Sequence, residues 1–261
     1  MLDWTAVRPT SKLPPCEAPR LTPEVLPREW LKGSDQQEMY GLLAAYFQNT
    51  TFRQFAEDLA EKDIVILLRD PREGRVAGFS TLVKLPVTVA NRRVVGFFSG
   101  DTIIAREHWG SSLLGRLWLR TVFREADRIG SQAPGTLFYW FLICSGYKTW
   151  RYLPIFFRNY SPHPESSASA FDRQVLHELA TRKFADEYHA DAGVIRFHHA
   201  NPLRPGVADV TGQRLRDPMV EFFLRMNPGH DRGDELACLA PISRANLTPA
   251  GLRLMAAGAP R

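Results

Sequence analysis

The sequence predicts an α/β fold, a sheet flanked by helices, and three stretches carry that expectation. The first is 92–129, which reads as strand, tight break and long helix. Val94, Val95, Phe97, Phe98, Ile103 and Ile104 are β-branched or aromatic, as a buried strand prefers. After Gly110 the apolar period changes: Leu114, Leu117, Trp118, Thr121, Val122, Ala126 and Ile129 recur three and four apart, one face of a helix. The second is the pair of apolar runs before it, 64–68 and 76–89, separated by the turn residues Asp70, Pro71, Arg72, Glu73 and Gly74. The third is LFYWFLIC at 137–144, a buried strand following the helix.

The elements follow in order. Residues 1–33 contain Pro9, Pro14, Pro15, Pro19, Pro23 and Pro27. Proline fixes φ and brings no N–H to a ladder, so this stretch is expected as an extended arm, pinned by Trp4 and Trp30. Residues 34–261 are expected as a single domain with a C-terminal extension. Ser34 or Asp35 caps a helix to Tyr46, with Met39, Leu42, Leu43 and Tyr46 inward. Thr50 or Thr51 caps a second, with Phe52, Phe55, Ala56 and Leu59 inward. The strand 76–89 is expected to kink at Pro86, and Asn91, Arg92 and Arg93 turn the chain into the next strand. Serines 166, 167 or 169 cap a helix to about His189; 193–199 is a strand, 201–217 a loop, 219–226 helix or strand, 235–242 a late strand, and Thr248 or Pro249 starts a short last helix.

Composition bounds the rest. The 261 residues suit one large domain or one domain with extensions. The net charge is +5, with 33 bases interspersed among 28 acids and no basic tail, a mild preference for anionic partners. Cys16, Cys144 and Cys238 lie far apart without zinc-ligand spacing, so neither a disulfide framework nor a metal site is expected, and a reducing cytoplasm is the simplest compartment. No signal peptide is evident, and 137–144 is too short to span a bilayer.

A small-residue turn that opens a helix points free N–H groups outward and suits an anion. Here the turn reads Glu107, His108, Trp109, Gly110, Ser111, Ser112. Two helices, a strand meander, then strand, small-residue turn and long helix resemble the GNAT acyltransferase superfamily over residues 36–157. That family's turn runs Gln or Arg, two residues, Gly, one residue, Gly or Ala. Gly110 matches; Glu107 departs in charge and Ser112 in type. The resemblance implies a mixed, mostly antiparallel central sheet whose strand after the turn splays from its neighbour. It implies that the backbone of Ile103, Ile104, Ala105 and Arg106 aligns a pantetheine arm, and that Gly110, Ser111, Ser112 and Leu113 hold phosphate. It further implies a Tyr as acid for the leaving thiolate, for which Tyr147, after Gly146, is favoured over Tyr152.

Glu107 and His108, at the strand end, are the candidate bases, each also readable as a solvated residue, and Glu107 also as a helix-dipole partner. Cys144 reads as a buried hydrophobe rather than a nucleophile. His198 and His199 are adjacent on a strand and point to opposite faces, so they do not chelate together. The row Arg116, Arg120, Arg124, Arg128 reads as a solvated face or as a surface for an acidic acyl carrier protein. The aromatic segment 147–160 reads as core or as a channel for a long acyl chain, as in the long-chain N-acyl amino acid synthases. The function expected is transfer of an acyl group, by direct attack, from a coenzyme A thioester or acyl carrier protein to a small amine, with no permanently bound cofactor. The alternatives are a GNAT-shaped binding protein without catalysis and an aminoacyl-tRNA-dependent transferase; no RNA-reading motif is present, so nucleic acid is not the expected partner.

Overall fold

The structure, a computed structural model, describes residues 21–256. Its centre is an eight-stranded sheet in the order β1-β2-β3-β4-β5-β8-β7-β6. The strands are β1 Thr22–Pro27, β2 Ile64–Arg69, β3 Val76–Val89, β4 Arg92–Ile104, β5 Leu137–Cys144, β6 Tyr188–His189, β7 Val194–Ile195 and β8 Glu235–Pro241. Only β4 and β5 run parallel; the other pairs are antiparallel. The expected mixed, mostly antiparallel sheet is therefore present. The helices are α1 Gly33–Tyr46, α2 Phe52–Ala60, α3 Leu113–Gln132, α4 Tyr147–Trp150, α5 Tyr152–Phe156, α6 Ala170–Phe184, α7 Pro218–Met226 and α8 Pro249–Ala256.

Local chemistry explains most boundaries. The Thr51 side chain accepts from Gln54 N–H at the start of α2, and Ser169 accepts from Asp172 N–H at the start of α6. Ser34 and Asp35 do not cap α1, which begins one residue earlier; Asp35 is buried in its first turn. The β3–β4 hairpin turns on Ala90 and Asn91, both at positive φ (45° and 59°), the backbone of a two-residue hairpin loop. α3 buries Leu114, Trp118, Thr121, Val122 and Ala126 as its period predicts.

Several expectations are corrected. The 1–33 arm falls largely outside the described residues, Trp4 among them, but Thr22–Pro27 is a strand paired along its length with β2. It is the edge strand, where a proline's missing N–H faces away from the ladder. Trp30 is 72% exposed and pins nothing. β3 keeps its register with β4 through Pro86, which opposes Val95; β2 stops at Leu82, so Pro86 faces a free edge. The expected strand 193–199 is paired only over Val194–Ile195, and the helix expected to reach His189 ends at Phe184, where Ala185 takes positive φ. The ambiguous run 219–226 is helix α7, with the Asp217 side chain accepting from Met219 N–H.

Apolar side chains pack on both sheet faces. One face carries α3 and the aromatic segment: Tyr147, Trp150, Phe156, Phe157 and Tyr160 are buried with Trp118 and Trp140. The Trp118 and Trp140 rings lie 4.2 Å apart by centroid, and Trp140 also meets Phe156 and Phe157. These rings pack on one another as core rather than lining a channel. The other face is covered by α1 and α2 at one end and α6 at the other.

Candidate active site

The site begins with an irregularity in β4. Ser80 opposes Thr102 and Leu82 opposes Ser99, so Thr81 alone faces two residues, Gly100 and Asp101. Such a bulge bends a strand and re-aims its side chains. At the same level the parallel ladder with β5 ends, its last pair being Ser99 and Leu142. Beyond it β4 follows β3 and β5 follows β8, so a gap opens between Thr102 on one side and Ser145 and Gly146 on the other. The last rung is clamped by the Trp140 indole, which donates to Ser99 Oγ at 2.7 Å.

A cavity of about 360 Å³ lies at this gap, walled by α1, α2, α6, β4, β5 and the start of β8. Phe55, Phe98 and Phe184 give it apolar walls, and Asp58, Lys62, Asp101, Lys183 and Glu235 give it charge. Lys62 Nζ is buried and ion-paired with Asp58 Oδ2 at 2.6 Å, and Lys183 Nζ approaches Asp58 Oδ1 at 3.8 Å. Both ammonium groups face the Phe98 ring, at 5.6 and 5.7 Å from its centroid. Gly100 leaves room beside them: a Cβ there would stand 3.1 Å from Lys62 Nζ and push it aside.

Two carboxyls in this cavity are displaced toward neutral pH. Burial, then the charge of Asp58, raises Asp101 to about 6 against the pull of Lys62 and Lys183. Burial raises Glu235 to about 7; the Ser145 hydroxyl favours its ionised form and the Asp101 charge opposes it. A carboxyl titrating near 7 beside a second one is suited to move protons at physiological pH.

The residues singled out from sequence lie elsewhere. Glu107 and His108 sit in a short 3-10 turn, Arg106–His108, and do not line the cavity. Tyr147 is 3% exposed at the start of α4, packed in the aromatic core; its neighbours Ser145 and Thr149 line the cavity. Of the backbone expected to align a donor, Ala105 N–H already donates to Ala77 O, and Ile104 O accepts from the Trp109 indole at 3.1 Å. In the turn, Gly110, Ser111 and Ser112 are exposed and Leu113 is half-buried. Ser111 N–H donates to His108 O, and Leu113 N–H to Ser111 Oγ at 3.2 Å.

Positive charge is nevertheless concentrated here, on side chains that sequence distance concealed. Lys148 Nζ lies 4.1 Å and Arg106 Cζ 5.0 Å from the centroid of Trp109. Burial first, then the charges of Arg214 and Arg106, lowers the Lys148 pKa. Across the same end of the gap runs 203–210. Arg106 donates to Gly206 O at 3.2 Å and Lys148 to Val207 O. Leu203 and Ala208 stand against Gly146.

The arginine row of α3 does not form a uniform face. Arg120 donates twice to Met255 O of α8, at 3.1 and 2.9 Å, and Arg128 pairs with Glu125 at 2.8 Å. Cys144 and Cys238 are buried free thiols with Sγ atoms 4.0 Å apart. Burial and the neighbouring Cys238 raise the Cys144 thiol, the opposite of an activated nucleophile. His198 and Asp186 pair at 3.2 Å on the surface. No helix among the described residues is long and apolar enough to cross a membrane.

No family model matches the chain, and no curated protein matches it. Solved structures that resemble parts of it include a GNAT family N-acetyltransferase from Escherichia coli in complex with CoA, 17% identical, covering 52% of this chain and 68% of that one at a TM-score of 0.35. Others are glucosamine-6-phosphate N-acetyltransferase from Arabidopsis thaliana, 14% identical, covering 58% and 99% at 0.38, and an acetyltransferase from Trypanosoma brucei, 17% identical, covering 57% and 98% at 0.35. Similarity at this level is partial and does not identify an activity.

Proposed function

We propose that this chain is an N-acyltransferase that moves an acyl group from a pantetheine thioester to an amine held in the cavity beside the gap between β4 and β5. The single observation that carries this reading is Glu235, a carboxyl at the start of β8 with a pKa near 7 in a cavity shared with Asp101. An amine enters as ammonium and attacks only when neutral, so its site needs a base that is ionised at working pH yet able to take a proton. Ionised Glu235 accepts that proton; Asp101 holds the ammonium before transfer. The neutral nitrogen attacks the thioester carbonyl, the C–N bond forms, and the C–S bond breaks with the electron pair leaving on sulfur. Tyr147, as the resemblance implies, is the group we assign to protonate the thiolate, and the second proton, shed by the nitrogen once it is acylated, returns to the phenolate. The donor is a coenzyme A thioester or an acylated carrier protein, which share the pantetheine-phosphate arm; Arg106, Lys148 and Arg214 supply the positive field for its phosphate.

The test is release of free thiol from acyl-CoA and acylated carrier protein across a panel of amines. Amine-dependent release is expected, with E235Q slower by about 10²–10⁴-fold. The kcat/KM of the wild type should rise through pH 7 as Glu235 ionises, and that limb should vanish in E235Q. No amine-dependent release on any donor overturns the catalytic reading; thioester binding without release supports the alternative of a binding protein.

A further inference from the structure

Residues 203–210 stand where the proposed donor must enter. Val207 packs against the core cluster of one sheet face, which holds Met39, Leu43, Tyr46 and Ile103. Ala208 and Val210 pack against the cluster of the other face, which holds Leu114, Cys144, Tyr147 and Trp150. A segment whose consecutive residues join the cores of opposite faces crosses the sheet, and the place where it crosses is the gap. Gly146 confirms the position: a Cβ there would lie 3.1 Å from both Ala208 Cβ and Leu203 Cδ1.

The segment is anchored at its 203–204 end and lightly held beyond it. None of its residues is fully buried. It turns at Gly206, φ +83°, with Asp209 Oδ1 accepting from Gly206 N–H at 2.8 Å. Its ties at one end run to α1 and the residues after it: Arg204 N–H donates to Tyr46 O at 2.8 Å and Arg204 Nε to Ala44 O at 2.9 Å, Leu203 bridges to Phe47, and Gln48 donates to Leu203 O at 3.0 Å. Over the gap its polar ties are Arg106 to Gly206 O and Lys148 to Val207 O. Both cations stack on Trp109 at the turn that opens α3. Few buried contacts and exposed hydrogen bonds mark the segments that open first.

We propose that 203–210 is a strap that closes the gap between β4 and β5, and that donor phosphate opens it by taking Arg106 and Lys148 away from the strap carbonyls. A phosphate oxygen is a stronger acceptor for these cations than a neutral carbonyl. The donor's own phosphate thus releases the strap, and the pantetheine arm replaces Val207 and Ala208 between the sheet ends. A thiol lacking phosphate leaves the strap shut. This inference rests on the pantetheine donor proposed above.

The experiment locks the strap. In G146C/A208C the two Cβ positions are 3.1 Å apart, short of the roughly 3.5–4.5 Å of a disulfide by a shift a surface loop supplies. CoA and phosphate-free pantetheine are titrated by calorimetry into wild type, into reduced and oxidised G146C/A208C, and into a variant with 204–209 replaced by a short glycine linker. The cross-link is mapped by peptide mass and folding checked by circular dichroism. Hydrogen exchange of the 203–210 amides is followed in the wild type. The expected result is CoA affinity at least tenfold lower in the oxidised than in the reduced form. CoA, and not pantetheine, should speed exchange in the strap. Equal CoA affinity of both forms overturns the strap and leaves the donor reading standing. Failure of every form to bind CoA, the linker variant included, overturns the donor reading and the strap with it.

Discussion

The Arg69 guanidinium grips the Asp35 carboxylate with two parallel hydrogen bonds, Nη1 to Oδ1 at 2.9 Å and Nη2 to Oδ2 at 3.0 Å. The pair ties the first turn of α1 to the last residue of β2, and Glu24 of β1 joins it at 3.1 Å from Nε. With Asp35 buried and Arg69 about one-fifth exposed, the pair lies between surface and interior cases. D35N should lower stability by about 2 kcal/mol, between the values for exposed and buried pairs. Urea melts of D35N, R69M and the double variant measure the coupling; additive losses would show that the pair does not act as a unit.

The displaced carboxyls make stability fall as pH rises. Glu235 has a folded pKa of about 7 against an ordinary 4.5, so the folded state holds a proton that the unfolded chain gives up between those values. Stability is therefore greatest below the lower value and is lost as pH climbs toward the higher. E235Q, neutral throughout, should match the wild type near pH 4.5 and exceed it at pH 8 by about 3 kcal/mol. Denaturant midpoints for both proteins from pH 4.5 to 8 test this; parallel curves would place Glu235 in contact with water.

Ser99 closes the last rung before the gap. Replacing it by alanine leaves the Trp140 indole N–H buried without the acceptor it now has at 2.7 Å. A lost partner of this kind costs about 1–3 kcal/mol. Thermal melts should show that loss for S99A, and the losses of S99A and W140F should be less than additive in the double variant, because no donor is then stranded.

Two glycines separate close packing from open surface. A Cβ on Gly96 of β4 would lie 2.6 Å from Leu179 Cδ2 of α6, so G96A should destabilise by about 1–3 kcal/mol. Gly41 lies inside α1 with nothing within 4 Å of such an atom, so G41A should stabilise by about 0.5–1 kcal/mol. Opposite shifts in melting temperature are expected; equal shifts would contradict the packing of α6 on β4.

Sequence revealed the elements whose signals are local. Thr51 and Ser169 cap their helices as their side-chain oxygens dictate, and LFYWFLIC is strand because a short apolar run between breaks is buried on both faces. It failed where the deciding contact is distant. Thr22–Pro27 looked unable to pair because of Pro23 and Pro27, yet an edge spares their missing donors. Glu235 carries no signal in its own strand, because the burial that raises its proton affinity, and the Ser145 hydroxyl and Asp101 charge that act after it, come from residues distant in sequence. Asp101 lies within the strand–turn–helix stretch 92–129, but the bulge that aims it depends on Thr81 in the neighbouring strand. Lys148 and Arg214 carried no signal of their own and acquire one only where the fold stacks Lys148 on Trp109 and brings the Arg214 charge within reach of Lys148.

The placement of β8 between β5 and β7 has a kinetic consequence. Among the described residues the hairpin of β6 and β7 joins the sheet through β8 alone, so the strands at 188–195 have no place to dock until the chain has passed Leu236. Until then one edge of β5 stands open, and that edge carries Tyr139, Trp140, Phe141 and Leu142. An unpaired aromatic edge of this kind is a template for other chains. The interval between synthesis of β5 and of β8 is when this protein is most exposed to aggregation, and the arrival of one seven-residue strand ends it.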